Sequence, residues 1–125
     1  MKKNPVVLII DDDVNRLVLD SLLKKSKINC IMTESGEKGL QEAIKSMPDI
    51  ILLDIFMPGE NGFEILSMIK ENEHIKHIPV YIFSILENEE SIQKAYQIGA
   101  ADFITKPFDM NNVVKELKKV IFSEE

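Results

Sequence analysis

The 125-residue chain is about one domain's worth of sequence, long enough to bury a single core, and its 45% apolar content with charges spread along the length excludes a disordered polymer. A formal net charge of −6 leaves no basic stripe to offset a phosphate backbone, so no direct nucleic-acid contact is expected. Cys30 is the only cysteine, which excludes an internal disulfide and a cysteine zinc site, and no N-terminal apolar stretch is long enough for a signal peptide or a membrane span, so a cytoplasmic protein without membrane contact is expected.

Along the chain, short branched runs alternate with stretches of helical period. "VVLII" at 6–10 has the length of a strand, and Val14, Leu17, Val18 and Leu22 then recur at helical spacing. "CIMT" at 30–33 is a second strand; Cys30 within it is read as a buried structural thiol. Leu40, Ala43, Ile44 and Met47 mark a second helix, and "IILLD" at 50–54 a third strand. Pro58 and Gly59 supply a turn, and a third helix is expected before the polar loop that holds His74 and His77, both read as surface residues. "VYIFS" at 80–84, the helical series Ile92, Ala95, Tyr96, Gly99, the strand "DFIT" at 102–105 and a last helix with Val113, Leu117, Val120 and Ile121 complete the alternation. "KELKK" at 115–119 is the solvated side of that helix.

Strict alternation of strand and helix predicts an α/β fold with a parallel sheet covered by helices on both faces. The continuously apolar strands 1 and 3 are expected at its centre. No repeat, linker or low-complexity run divides the chain, so residues 1–125 are read as one domain.

In such sheets ligands bind beyond the carboxyl ends of the strands. Asp11 and Asp12 follow strand 1, Asp54 ends strand 3, Ser84 ends strand 4 and Lys106 follows strand 5. A lone Asp after a strand is ordinarily a turn or cap residue, but three carboxylates, a hydroxyl and a lysine at one edge point to chemistry. Adjacent acids oppose each other's ionisation unless a hard cation sits among them; Mg²⁺ takes oxygen ligands and keeps positions open for phosphate. Asp13, just before the first helix, is read as its N-cap.

These residues resemble the receiver domains of two-component response regulators, the group that includes the stand-alone chemotaxis regulator. The matching pieces are "IIDD" at 9–12, "LLDIFMPGENGFEIL" at 52–66, "IFS" at 82–84 and "GAADFITKPF" at 99–108, and the resemblance covers about Val6 to Phe122. It implies a flavodoxin-like three-layer sandwich of five parallel strands in order 2-1-3-4-5. It implies Asp54 as phosphoacceptor, Asp11 and Asp12 as the acidic pair for Mg²⁺, and the Phe56 backbone carbonyl as a further metal ligand. Ser84 and Lys106 would contact the phosphoryl group, and Ser84 with Phe103 would form the switch. The donor would be a sensor histidine kinase or histidine phosphotransfer protein. Output would pass to an effector protein or output domain, or through a phosphorylation-dependent homodimer, and the chain would catalyse only its own phosphorylation and dephosphorylation.

Two departures stand out. "DDDVNRL" is one residue shorter than the common "DD-x-x-V-N-R-L" form, so either the first loop is tightened or the register slides and Asp12 and Asp13 form the metal pair. Phe103 replaces a frequent Tyr, removing a hydroxyl from the switch ring. The alternative reading, a phosphorylation-independent interaction module of the same fold, would be marked by loss of Asp54, the acid pair or Lys106, and all are present. A flavodoxin-like cofactor binder would need a Gly/Ser/Thr-rich phosphate loop after strand 1, and a dehalogenase-like phosphatase would place its nucleophile on strand 1.

Overall fold

The computed structural model describes residues 4–11, 16–84, 88–105 and 109–122. Five strands, β1 (Val6–Ile10), β2 (Asn29–Thr33), β3 (Ile50–Asp54), β4 (Val80–Ser84) and β5 (Asp102–Thr105), alternate with five helices, α1 (Arg16–Lys25), α2 (Gly36–Ser46), α3 (Gly62–Glu71), α4 (Glu89–Ile98) and α5 (Met110–Phe122). All four strand pairings are parallel and the order is β2-β1-β3-β4-β5, as the resemblance implies. β2 begins one residue earlier than its apolar run, at Asn29, whose N–H donates to Pro5 O.

Every residue of β3 and β4 is buried, and β1 is buried from Val7 onward. Alternation along these strands divides the interior in two. Leu8, Ile10, Ile51, Leu53, Val80 and Ile82 pack with Ala43, Leu66, Ile69 and Ala95, beneath α2, α3 and α4. Val7, Ile9, Ile50, Leu52, Tyr81 and Phe83 pack with Leu23, Val113 and Leu117, beneath α1 and α5. The sheet is thus the middle of three layers, and only its two ends remain for a site.

Helix ends carry their own signals. Ser35, Asn61 and Asn88 are extended N-caps whose side chains accept from Lys38 N, from Phe63 N and Glu64 N, and from Ser91 N respectively. Met47 and Gly99 close α2 and α4 at positive φ, each donating its N–H to the carbonyl four residues back, Ala43 O and Ala95 O.

The helical series in the sequence finds the helices but not always the buried face. Ile44, Met47 and Tyr96 are exposed. α2 instead buries Gly36, Gly39 and Ala43, because its backbone comes so close to the sheet that a Cβ on Gly39 would overlap the Ile10 side chain. His74 and His77 are exposed in the loop after α3, as expected. The expected N-cap Asp13 lies outside the described residues.

Candidate functional site

The carboxyl ends of β1, β3 and β4 bring three buried polar side chains to one edge of the sheet: Asp11, Asp54 and Ser84. The Asp11 N–H donates to Thr33 O at 3.0 Å, which carries the β1–β2 ladder one step past the strand. Ile10 is paired with Leu53, so Asp11 and Asp54 are the next partners in the same register, on adjacent strands about 5 Å apart. By alternation both belong to the α1/α5 face, continuing Val7, Ile9, Ile50 and Leu52. Each is only 5% exposed.

Asp54 is held by its own chain. Its Oδ1 accepts the Phe56 N–H at 2.9 Å, and the Ile55 N–H donates to Phe83 O at 3.1 Å. The following loop is anchored at three further points. Glu60 N–H closes a turn on Met57 O with Pro58 and Gly59 between them, Gly59 at φ 78°, the signature of a type II turn. Glu60 Oε1 accepts the N–H of Gly36 at 2.7 Å, tying the loop to the start of α2. Gly62 lies so close to Ile55 that a Cβ there would overlap the Ile55 carbonyl. The Phe56 side chain, by contrast, is 53% exposed.

Ser84 is fully buried and pairs with Thr105. Phe103, half-buried against the core beneath α4, pairs with Ile82, which places it diagonally behind Ser84 on the same face. Its N–H donates to Asp102 Oδ1 at 2.8 Å, and the same oxygen accepts the Tyr96 hydroxyl of α4 at 3.1 Å. Burial, together with this hydrogen bond, pushes the Tyr96 hydroxyl pKa up, so Tyr96 remains a donor to Asp102.

Asp12 and Lys106 lie outside the described residues, and among the described residues no three His, Cys, Asp or Glu gather as a metal-binding group. Two contacts are not visible as motifs: the Glu60–Gly36 clamp at this edge and the Tyr96–Asp102 bond at the amino end of β5. The only trace of the first is an acid placed just before the N-cap Asn61. Cys30 is set apart from the site and is half-buried rather than buried as expected; desolvation, then the nearby Asp20 carboxylate, push its thiol up to about 12, consistent with a structural role.

The family model described as "Response regulator receiver domain" matches residues 6–118. The chain belongs to this family. This receiver domain is 37% identical over 116 residues to the sensory transduction protein LytT of Bacillus anthracis, a match that covers 90% of the chain but only 46% of LytT, so the chain spans about half the length of that relative. It superposes on the chemotaxis protein CheY4 of Vibrio cholerae with a TM-score of 0.86 at 25% identity, covering 94% of this chain and 98% of that one. The receiver domain of the sensor histidine kinase PA1611 of Pseudomonas aeruginosa, whose structure has a magnesium ion coordinated in its active-site cleft, shares the fold at 21% identity and a TM-score of 0.83, covering 95% of this chain and 98% of that one. Accepting a phosphoryl group is the general role of the family. Among the described residues, no helix of this receiver domain is long and apolar enough to cross a membrane.

Proposed function

We propose that this receiver domain accepts a phosphoryl group on Asp54 from a phosphohistidine, supplied by a sensor histidine kinase or a histidine phosphotransfer protein in the cytoplasm. The observation that carries this reading is the pairing of two buried carboxylates, Asp11 and Asp54, at neighbouring register positions on the two central strands. Two carboxylates so placed repel each other, and a hard cation with oxygen preference offsets that repulsion. Asp11, Asp12, Asp54 and the Phe56 carbonyl are the donors that would hold Mg²⁺. Buried carboxylate oxygens suit such an ion, and the end of β1 at Ile10 supports Asp11 rather than Asp13 as the partner of Asp12. When bound, Mg²⁺ neutralises charge on phosphoryl oxygens.

The protein's own residues carry the transfer. An Asp54 carboxylate oxygen attacks phosphorus in line, an O–P bond forms, the P–N bond breaks, and the imidazole nitrogen keeps the electron pair and takes a proton from solvent. The Phe56 N–H bond to Oδ1 fixes the carboxylate plane for that attack. Lys106, next in the chain after β5, pairs with the new anion, and the Ser84 hydroxyl donates to one of its oxygens. As Ser84 moves, the ring of Phe103 turns into the space it leaves, and the change reaches α4, β5 and α5. There a homodimer, an effector protein or an output domain reads it. The chain acts only on its own Asp54: transfer leaves the donor histidine dephosphorylated, and hydrolysis of the acyl phosphate releases inorganic phosphate.

Intact-mass measurement with a small phosphoramidate donor tests the reading. The wild type gains one phosphoryl group in the presence of Mg²⁺ and none with a chelator. Asp11→Asn raises the Mg²⁺ concentration for half-maximal rate about tenfold, the equivalent of about 1.4 kcal/mol. A wild type that gains no mass, or that gains it equally well without divalent cation, contradicts the reading.

A further inference from the structure

A second feature lies on the flank of the molecule, between α2 and α3. A groove of ≈ 470 Å³ runs there, its acidic end formed by Glu37, Glu60 and Glu64 and its apolar part by Leu40 and Met68; no Lys or Arg lines it among the described residues. At about 100° per residue, Leu40 and Glu37 are separated by roughly 60° around α2, and Ile44 falls between them. Ile44 therefore extends the apolar wall on the same side of the helix. It is 42% exposed and Met68 is 48% exposed, so large apolar side chains face solvent on both walls.

The groove is preformed. The Glu60–Gly36 hydrogen bond joins its two walls at the acidic end, and Gly36 has no Cβ because the Ile65 side chain occupies that space. An occupant would not have to open it, which removes one cost of binding. The floor and far end are apolar and the near end carries three carboxylates without a cation. The matching occupant is thus amphipathic, with an apolar stripe and basic side chains at one end or flank. A further groove, between α1 and α5, has the opposite character, lined by Lys25, Lys115 and Lys118. A basic helix is repelled there.

We propose that the α2–α3 groove is a docking site for an amphipathic, basic helix of a partner protein. The site is complete without phosphoryl chemistry and lies on a different flank from the α4, β5, α5 face.

The test titrates the isotope-labelled, unphosphorylated chain with a synthetic amphipathic helix of leucine and lysine and follows backbone amide shifts. Shifts are expected in 36–47 and 60–68. The leucine–glutamate counterpart produces none there. Reversing two rim charges in Glu37→Lys with Glu64→Lys, or placing charge on the apolar wall in Ile44→Asp with Met68→Asp, raises Kd by roughly tenfold or more. All four positions are outside the two cores, and circular-dichroism melts confirm that each variant folds. Shifts scattered over the surface or centred on the α1–α5 groove overturn the proposal, as do variants that bind as well as the wild type. Self-association of the wild type that disappears in Ile44→Asp with Met68→Asp also overturns it, since the occupant is then a second copy.

Discussion

Asp54 ends β3, and the residues after it are arranged to hold one peptide plane still: Phe56 N–H on Oδ1, the turn over Pro58 and Gly59, and Gly62 packed on Ile55. Asp54 and Asp11 were legible as candidates because an acid directly after an unbroken apolar run is conspicuous. Glu60 was not, because its partner is a backbone N–H twenty-four residues away, and no spacing records such a bond. The same loop supports a prediction about lifetime. Hydrolysis of an acyl phosphate at Asp54 needs a water aligned behind phosphorus. The side chains two residues beyond Asp54 and Ser84, Phe56 and Leu86, have no group to orient one; Leu86 lies outside the described residues. Phe56→Asn and Leu86→Glu are expected to speed phosphate loss about ten- to a hundredfold, equivalent to roughly 1 to 3 kcal/mol of barrier. Because the Phe56 ring is mostly outside the core, its replacement leaves the fold intact. Following decay of the phosphorylated protein checks this; wild-type loss within seconds, or unchanged rates in the variants, contradicts it.

Among the elements, the strands were the most legible, since continuous branched runs flanked by turn residues have few other uses, and four of the five apolar runs coincide with the strands. Helix faces were less so. In α2 the close contact with the sheet is made by Gly39 and that with α3 by Gly36, which a search for apolar periodicity passes over, and Ile44 and Met47 face outward. In α4, Tyr96 completes an apolar series but turns its hydroxyl to Asp102. That bond joins α4 to the residue before Phe103, so the proposed movement of Phe103 would reach α4 through Asp102 as well as through packing. Coupling of this kind is commonly about 1 to 3 kcal/mol. Amide exchange with and without beryllofluoride as a phosphoryl mimic is expected to change protection in α4, β5 and α5. Changes confined to the loops around Asp54 contradict this route.

For the molecule as a whole, alternation in the sequence specifies a parallel sheet between helical layers, but not the order of its strands. That order followed from the resemblance alone, because periodicity carries no information on which strands are neighbours. The net charge of −6 is also unevenly distributed: acids surround the α2–α3 groove while lysines line the α1–α5 groove. Such asymmetry offers partners different surfaces on one small domain. The chain spans about half the length of LytT, and its reading as a single domain, its switch and its output are proposals. In the proposed function the chemistry converges on one carboxylate, that of Asp54. Reductive trapping of the phosphorylated protein followed by site-resolved mass spectrometry locates the acyl phosphate directly. The modification is predicted on Asp54 alone and is absent from Asp54→Asn; a phosphoryl group on any other residue, or one retained in that variant, would contradict the assignment of Asp54 as phosphoacceptor.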